Sequence, residues 1–140
     1  MVNLEKPLAV GGRFGGHFVL GHVDGVGRLQ NIEPEGKAIR MTISCPEEIA
    51  RYMAQKGSVA VNGVSLTIAS EGPSEFQLVL VPYTIGKTNL ERLRVSDEVN
   101  VECDIIAKYI EKLVGSRKGA GLSQNFLEEH GFIEPRNRGK

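Results

Sequence analysis

The sequence has no excess of either charge. Lysine and arginine together number 17, and aspartate and glutamate together also number 17. A protein that binds nucleic acid through its phosphates needs a basic excess, so the composition does not favour a nucleic-acid partner. Hydrophobic residues make up 41% of the 140 residues and charged residues 24%, which is ordinary for one globular domain with its own core.

The sequence also has no long hydrophobic run. No stretch approaches the roughly 18 apolar residues of a membrane-spanning helix. The first residues lack the basic segment followed by an apolar segment that forms a secretory signal. We therefore expect a cytoplasmic protein with no membrane partner.

Cysteine is scarce, and glycine-rich nucleotide loops are absent. Cys45 and Cys103 are far apart and form no CxxC pattern, which favours reduced thiols, with a disulfide as the alternative. The stretch "GGRFGG" lacks the GxGxxG spacing. The stretch "IGKT" is preceded by Val81 where a phosphate-binding loop needs glycine. A Rossmann domain is therefore not expected.

What the sequence does contain is a series of short β patterns from about Phe18 to Asp104. Glycine and proline clusters separate these patterns, which is typical of an all-β barrel or sandwich. Residues 38–43 alternate between apolar and polar, and residues 76–81 and 98–104 indicate further strands. Asn62-Gly63 lies between two β-branched runs and predicts a two-residue type I′ hairpin turn.

Two helices accompany the strands. The S-x-x-E spacing of Ser44 and Glu47 is that of a capping box, and it predicts a short helix over residues 46–55. A second helix follows residue 105 and has an apolar face that must cover the barrel or another subunit. In the tail we expect a short helix over residues 123–130 and a frayed end over 135–140. The apolar face of the second helix consists of Ile106, Tyr109, Ile110, Leu113 and Val114.

Two histidines, His17 and His22, stand in the glycine-rich stretch "GGHFVLGHVDG". A metal site would need further ligands, and His130 and the cysteines lie far from this pair in the sequence. The two histidines could instead line a pocket or transfer a proton near neutral pH. The alternative is that one lies on the surface and the other at a strand end.

Two further stretches suggest a binding site for a small molecule. Ser65 and Thr67 share one face of a strand and could hydrogen-bond a polar heterocycle, or they are ordinary outward-facing residues. Pro82 ends a strand and leaves the backbone of Val81 and Tyr83 available to a ligand. We expect both stretches to meet residues 21–23 around one barrel mouth, where small-molecule pockets are common.

The same stretches resemble riboflavin synthase over residues 2–114. The matching segments are "GGHFVLGHVDGVG", "VNGVSLTIA", "VPYTIGKTNLERLRVSDEVNVE" and "DIIAKYIEKLV". Their order fits the second of the two barrels in that family. The resemblance implies an all-β, six-stranded Greek-key β-barrel with a short internal helix and a C-terminal helix.

The resemblance also implies a reaction. Riboflavin synthase joins two molecules of 6,7-dimethyl-8-ribityllumazine, and a four-carbon unit passes from one to the other. The products are riboflavin and 5-amino-6-ribitylaminouracil, and no metal or other cofactor takes part. The site forms between the first barrel of one subunit and the second barrel of its neighbour, so a single barrel is expected to bind ligand with little turnover. A lumazine- or flavin-binding antenna protein is the alternative.

Site residues carry over from the matching motifs. His22 is implied as the group for proton chemistry at the 7-methyl group, with Ser65 and His17 as weaker candidates. Lys56 would reach into a neighbouring subunit's site. At this hairpin position the first barrel of the family usually carries a cysteine, whereas this sequence has Ser65. The implied substrate contacts are Gly21, His22, Val23, Lys56, Ser65, Leu66, Thr67, Val79, Leu80, Val81, Pro82, Tyr83 and Thr84.

The stretch "VNLEK" at residues 2–6 nearly repeats "VNVEC" at 99–103. In the family, each barrel ends on a strand of this kind. We therefore expect residues 1–12 to be the last strand of a missing first barrel plus a linker, and residues 13–104 to be a lumazine-binding barrel. Residues 105–115 would be an oligomerisation helix and 116–140 a flexible tail. The expected partners are a homotrimer formed through the helix, or a dimer, and lumazine synthase.

Overall fold

A computed structural model describes residues 2–13 and 15–115 of the chain. The chain contains six strands and four short helical segments within these residues. The strands are β1 (Gly25–Glu35), β2 (Ala38–Ser44), β3 (Ser58–Val61), β4 (Val64–Glu71), β5 (Glu75–Leu80) and β6 (Glu98–Cys103). The helices are α1 (Glu47–Ala50), α2 (Pro82–Lys87) and α3 (Ile105–Gly115), with a 3₁₀ helix at Asn89–Arg92.

The six strands close into one antiparallel barrel with the order β1-β2-β5-β4-β3-β6. Strands β3, β4 and β5 follow one another as neighbours, and β5 comes back to pair with the earlier strand β2, which is a Greek-key connection. The predicted six-stranded Greek-key barrel with a short internal helix and a C-terminal helix is therefore confirmed.

The hairpin between β3 and β4 turns at Asn62 and Gly63, as the sequence predicts. Their φ angles are +48° and +77°, which are the positive values that a type I′ turn requires at both central residues. Val61 pairs with Val64 directly across the turn. This register decides which side chains of β4 face outward, and therefore positions the site.

The barrel interior is filled by alternate residues of every strand. Phe76 on β5 and Leu29 on β1 are completely buried. Gly27 leaves room for the core side chains of two neighbouring strands, because a Cβ at this position would lie 2.7 Å from Cγ2 of Ile43 and 3.1 Å from Cγ2 of Val101. The other large, fully buried side chains are Met41, Ile43, Val59, Val61, Ile68, Leu78, Leu80, Leu90, Val99 and Val101.

The helix predicted over residues 46–55 is shorter than expected, and its capping box does not form. Helix α1 ends at Ala50, and Pro46 occupies the N-cap with no side-chain cap bond. Ser44 cannot cap it because it is the last residue of β2, and its Oγ accepts a hydrogen bond from Gln30 Nε2 at 2.7 Å. After Ala50 the backbone forms hydrogen-bonded turns as far as Met53, whose side chain is buried.

Residues 2–6 do not form the expected strand. This segment is instead fixed by one side chain, Asn3. Its Nδ2 donates to the Asn62 carbonyl and to Asn89 Oδ1, both at 2.8 Å, and its Oδ1 accepts the N–H of Asn89 at 2.8 Å. A side-chain network therefore takes the place of strand pairing.

Helix α3 spans Ile105–Gly115, in agreement with the apolar pattern of the sequence. The chain divides into two compact units, one up to Lys108 and one from Tyr109 onward. The helix predicted over residues 123–130 and the frayed end lie outside the described residues. None of the helices that the structure describes has the length and apolar character needed to cross a membrane.

Candidate functional site

The outer face of the barrel carries a row of three residues on adjacent strands. Ala60 on β3 pairs with Ser65 on β4 on one side and with Glu102 on β6 on the other. Val101 and Cys103, the neighbours of Glu102, are core residues. Because successive side chains of a strand point to opposite faces, Glu102 is on the outer face of the barrel. Ala60 and Glu102 are nevertheless buried, which means that another part of the chain covers this row.

The covering segment is residues 15–24, which we call the strap. His17 Nδ1 lies 2.8 Å from Ser65 Oγ at one end of the row. At the other end, the Glu102 carboxylate accepts the N–H groups of Leu20 at 2.6 Å and Gly21 at 3.0 Å. The strap therefore crosses the outer wall over β4, β3 and β6 before it enters β1.

Gly16 allows the strap to approach the wall closely. A Cβ at Gly16 would lie 2.9 Å from Ser65 Cβ and closer still to its Oγ, whereas a Cβ at Gly15 would meet nothing within 4 Å. Only the second glycine of the pair therefore needs to be glycine for contact with the wall.

A cavity of about 640 Å³ lies between the strap, the β3–β4 hairpin and residues 5–13. His17, Gly21 and Ser65 line it, so the cavity joins residues from two of the three predicted stretches. Nε2 of His17 is buried and has no hydrogen-bond partner among the described residues. The remaining lining residues are Glu5, Lys6, Pro7, Leu8, Ala9, Gly12, Arg13, Gly15, Gly16, Phe18, Val19, Leu20 and Gly63.

Asp24 fixes the C-terminal end of the strap to β6 and α3. Its N–H donates to the Val101 carbonyl at 2.9 Å, and its Oδ2 accepts the N–H of Cys103 at 2.8 Å. Its Oδ1 accepts a hydrogen bond from Lys108 Nζ, forming an ion pair. Burial by itself would raise the pKa of Asp24, but the bonds from Lys108 and Cys103 outweigh it and hold that pKa below its usual value. Burial would lower the pKa of Lys108, but Asp24 raises it above its usual value.

These shifts predict a pH-dependent contribution to stability. Because the Asp24 pKa is lowered on folding, ionised Asp24 stabilises the fold above about pH 4, and this stabilisation is lost as the pH falls through the pKa of the folded state. Because the Lys108 pKa is raised on folding, protonated Lys108 stabilises the fold below about pH 10, and this stabilisation is lost as the pH rises through the pKa of the folded state. We expect Asp24→Asn to lower the free energy of unfolding by about 1 kcal/mol at pH 7. Urea unfolding should show this difference vanishing in acid, and the exposed Glu48→Gln should show none. If Asp24→Asn still has a lower free energy of unfolding than the unmodified chain at pH 2.5, the ion pair with Lys108 is not the cause of the difference.

The residues predicted from the "GHV" and "VSLT" stretches are only partly brought together. Gly21 and Ser65 line the cavity, whereas His22 and Val23 are exposed farther along the strap, outside the cavity lining. Thr67 faces outward on β4 beside Ser58, and Leu66 packs against the core on the other face. The structure thus brings His17, rather than His22, to Ser65.

The third stretch lies apart from the cavity lining. Leu80 is a core residue, and Val79 pairs with Arg40. Pro82 does end a strand but also begins α2, so Tyr83 and Thr84 are helical, and the Val81 carbonyl accepts the Ile85 N–H at 3.2 Å. The expectation of free backbone at Val81 is therefore wrong for its carbonyl. Lys56 is exposed and has a φ of +68°.

The expectation of one barrel mouth stays a prediction. Residues 65–67 begin β4 beside the end of β5, and Gly25 at the start of β1 pairs with Val101, which also pairs with Val61 at the end of β3. Gly21 and Ser65 meet because the strap runs along the outer wall. The alternation pattern of a strand shows which residues face outward, but it does not show which segment covers them.

Neither cysteine belongs to the cavity. Cys45 and Cys103 are both free and buried in the core, which agrees with the expectation of reduced thiols. Burial raises the pKa of Cys45, and burial together with the charge of Asp24 raises the pKa of Cys103 to about 12. Such thiols are protonated and inert at neutral pH. Within residues 2–13 and 15–115, no group of three or more potential ligands could hold a metal ion.

The strap contacts at Glu102, Asp24 and Lys108 were not predicted from the sequence. Glu102 occupies an ordinary outward position of a strand, and Asp24 follows a histidine-containing motif without any special spacing. The partners of these residues lie 79 to 84 positions away in the chain. No local pattern could have indicated these contacts.

The lumazine-binding domain family matches residues 20–104, and the chain belongs to this family. It is 41% identical to riboflavin synthase of Photobacterium phosphoreum over 136 residues, which cover 94% of this chain and 62% of that protein. It is 37% identical to riboflavin synthase of Bacillus subtilis over 135 residues, which cover 94% of this chain and 63% of that protein. The chain therefore spans less than two thirds of the length of these relatives.

Solved structures with the same fold include two complexes of LumP. The complex with riboflavin has a TM-score of 0.60 and 25% identity, and covers 66% of this chain and 50% of LumP. The complex with 6,7-dimethyl-8-(1'-D-ribityl)lumazine has a TM-score of 0.60 and 24% identity, and covers 64% of this chain and 51% of LumP. Together with the riboflavin synthases, these similarities confirm the resemblance noted in the sequence.

Proposed function

We propose that this barrel binds 6,7-dimethyl-8-ribityllumazine and riboflavin in the strap cavity, as one lumazine-binding half of a riboflavin synthase. The longer enzyme would convert two lumazine molecules to riboflavin and 5-amino-6-ribitylaminouracil. The barrel alone would bind ligand with little or no turnover, because the reaction needs two bound lumazines facing each other.

The observation that carries the proposal is the hydrogen-bonded pair of His17 and Ser65 in the wall of the cavity. The cavity of about 640 Å³ falls within the range of roughly 300 to 1,000 Å³ that is typical of small-molecule sites. A bicyclic lumazine ring offers nitrogen and oxygen atoms to the buried Nε2 of His17 and to Ser65 Oγ. The ribityl hydroxyls would find the backbone groups of Gly21 and Gly63 in the same lining.

The pair also supports a proton-transfer role. The reaction requires removal of a proton from the 7-methyl group of one lumazine. The Ser65 hydroxyl, bonded to His17 Nδ1 at 2.8 Å, could pass that proton to the imidazole. His22 remains a second candidate for this role because it lies on the same strap. It ranks behind His17 because it lies outside the cavity.

A fluorescence titration of the 140-residue chain with 6,7-dimethyl-8-ribityllumazine tests the proposal, with riboflavin assayed in the same samples. We expect saturable binding without riboflavin formation. Loss of one hydrogen bond costs about 0.5–1.5 kcal/mol, so His17→Ala should weaken binding by about two- to thirteenfold. His22→Ala should change the affinity less, and the distant, exposed Ser74→Ala should not change it.

Three results would count against the proposal. Absence of binding would remove the ligand assignment, and steady riboflavin production would show that copies of this barrel build a complete site. A larger loss of affinity in His22→Ala than in His17→Ala would move the site along the strap.

A separate prediction concerns assembly. Light scattering on the same samples should show an oligomer, either a trimer through residues 105–115 or a dimer. A monomer at high micromolar concentration would contradict this prediction.

A non-catalytic antenna role is the second candidate function. It is favoured by the likeness in fold to LumP, which was solved with lumazine, with flavin mononucleotide and with riboflavin bound. The likeness to riboflavin synthases is greater in identity and extends over 94% of this chain. Riboflavin production by the longer protein would decide for the enzyme, and tight binding without production would decide for the antenna.

A further inference from the structure

Glu102 is the most deeply buried charged residue in the part of the chain that the structure describes. Only 6% of its surface is exposed, although it occupies an outward position of β6. Its two carboxylate oxygens accept hydrogen bonds from two successive backbone N–H groups, Leu20 to Oε1 and Gly21 to Oε2. Burying a carboxylate is costly unless such bonds compensate it, so this arrangement depends on the strap lying against the wall.

The backbone of the strap is shaped for this contact. Gly21 has a φ of +77°, a conformation that glycine adopts readily and that other residues rarely adopt. A charge-assisted bond is roughly twice as strong as a neutral one, and here two of them meet at one side chain. The far end of the strap, at Asp24, is held separately by Cys103 and Lys108.

Glu102 stands directly across the row from the proposed ligand site. Ala60 separates it from Ser65, and adjacent strands lie about 4.8 Å apart, so Glu102 and Ser65 are roughly 10 Å apart along the wall. Within the strap, His17 lies beside Ser65, and Leu20 and Gly21 lie beside Glu102. These three strap residues line the cavity.

We propose that Glu102 is a positioning residue for the lumazine site, which latches the strap to β6 and so holds His17 and Gly21 at the cavity. This role rests on the proposed function of the cavity. Glu102 does not touch the ligand in this arrangement. It acts through the backbone of Leu20 and Gly21.

The test compares Glu102→Gln with Glu98→Gln in the 140-residue chain. Glutamine keeps the size of the side chain but turns an NH₂ group toward one of the two backbone N–H groups. Only one of the two acceptor oxygens at residue 102 then remains. Glu98 lies on the same strand with the same outward parity, but it is exposed and pairs with Arg28. It is therefore a matched control for loss of one carboxylate from β6.

Two readouts are needed. Amide hydrogen exchange at Leu20 and Gly21 should accelerate at least about tenfold in Glu102→Gln, while amides of β5 stay protected. The dissociation constant of 6,7-dimethyl-8-ribityllumazine should rise at least about tenfold, a loss equivalent to about 1.4 kcal/mol. Glu98→Gln should match the unmodified chain in both measurements.

Either of two results would overturn the proposal: unchanged exchange at Leu20 and Gly21, or faster exchange with unchanged affinity. If Glu102→Gln does not fold, Leu20→Pro removes one donor while the carboxylate remains, and unchanged lumazine affinity in that variant would overturn it equally. Failure of the unmodified chain to bind lumazine would instead refute the proposed function. In that case, exchange alone still reports whether Glu102 holds the strap.

Discussion

Replacing Gly16 with alanine is expected to weaken the binding of 6,7-dimethyl-8-ribityllumazine at least about tenfold, a loss of about 1.4 kcal/mol. The added Cβ would lie 2.9 Å from Ser65 Cβ, closer than non-bonded carbons approach. The strap must therefore move away from the wall, or Ser65 must turn its hydroxyl away. Either movement breaks the 2.8 Å bond between Ser65 and His17.

Gly86→Ala is the matched control for this prediction. It adds the same methyl group in α2, outside the cavity lining, where nothing lies within 4 Å, and neither glycine has a positive φ. Fluorescence titration of both variants should therefore show a loss of affinity only for Gly16→Ala. Equal affinities in the two variants would mean that contact between strap and wall is not needed for binding.

The second large effect concerns the core. Phe76→Ala is expected to lower the free energy of unfolding by about 3–5 kcal/mol, which is the usual cost of truncating a buried phenylalanine. Phe76 is 0% exposed and lies on β5, where it pairs with Ile43 on β2 and with Glu71 on β4. Its ring is therefore surrounded by core side chains of the closed barrel, and the space cannot collapse easily.

Urea unfolding followed by circular dichroism measures this effect. Tyr83→Ala serves as the control, because Tyr83 is 76% exposed and its truncation should change stability by no more than about 0.5 kcal/mol. A typical domain is stable by only about 5–15 kcal/mol, so Phe76→Ala should lie near the limit of folding. A loss below about 1 kcal/mol would show that the barrel interior is not packed around Phe76.

The barrel was predictable from the sequence because its signals are local. Period-two alternation marks residues 38–43 as a strand, and Asn62-Gly63 specifies a turn whose two positive φ angles few other dipeptides accept. The apolar period of α3 is equally local. Pro82 shows the limit of such signals, because proline can end a strand and is also favoured in the first turn of a helix. The first property predicts the end of β5, and only the second predicts α2.

The site was predictable only in part. Ser65 and both histidines are evident from the motifs, but two histidines five positions apart look equivalent until the path of the strap is known. Glu102 is indistinguishable in the sequence from any outward glutamate of a strand. Its burial depends on Leu20 and Gly21, which are more than 80 residues away in the chain. The site is therefore a property of the tertiary arrangement rather than of any single stretch.

Binding of lumazine on the outer wall beneath the strap can be tested by an amide NMR titration of the ¹⁵N-labelled chain with 6,7-dimethyl-8-ribityllumazine. If lumazine binds there, the amides at residues 16–21 and 63–66 should show saturable shifts, with the largest next to His17 and Ser65. Shifts confined to α2 and the end of β5, with residues 16–21 unchanged, would place the ligand elsewhere on the barrel.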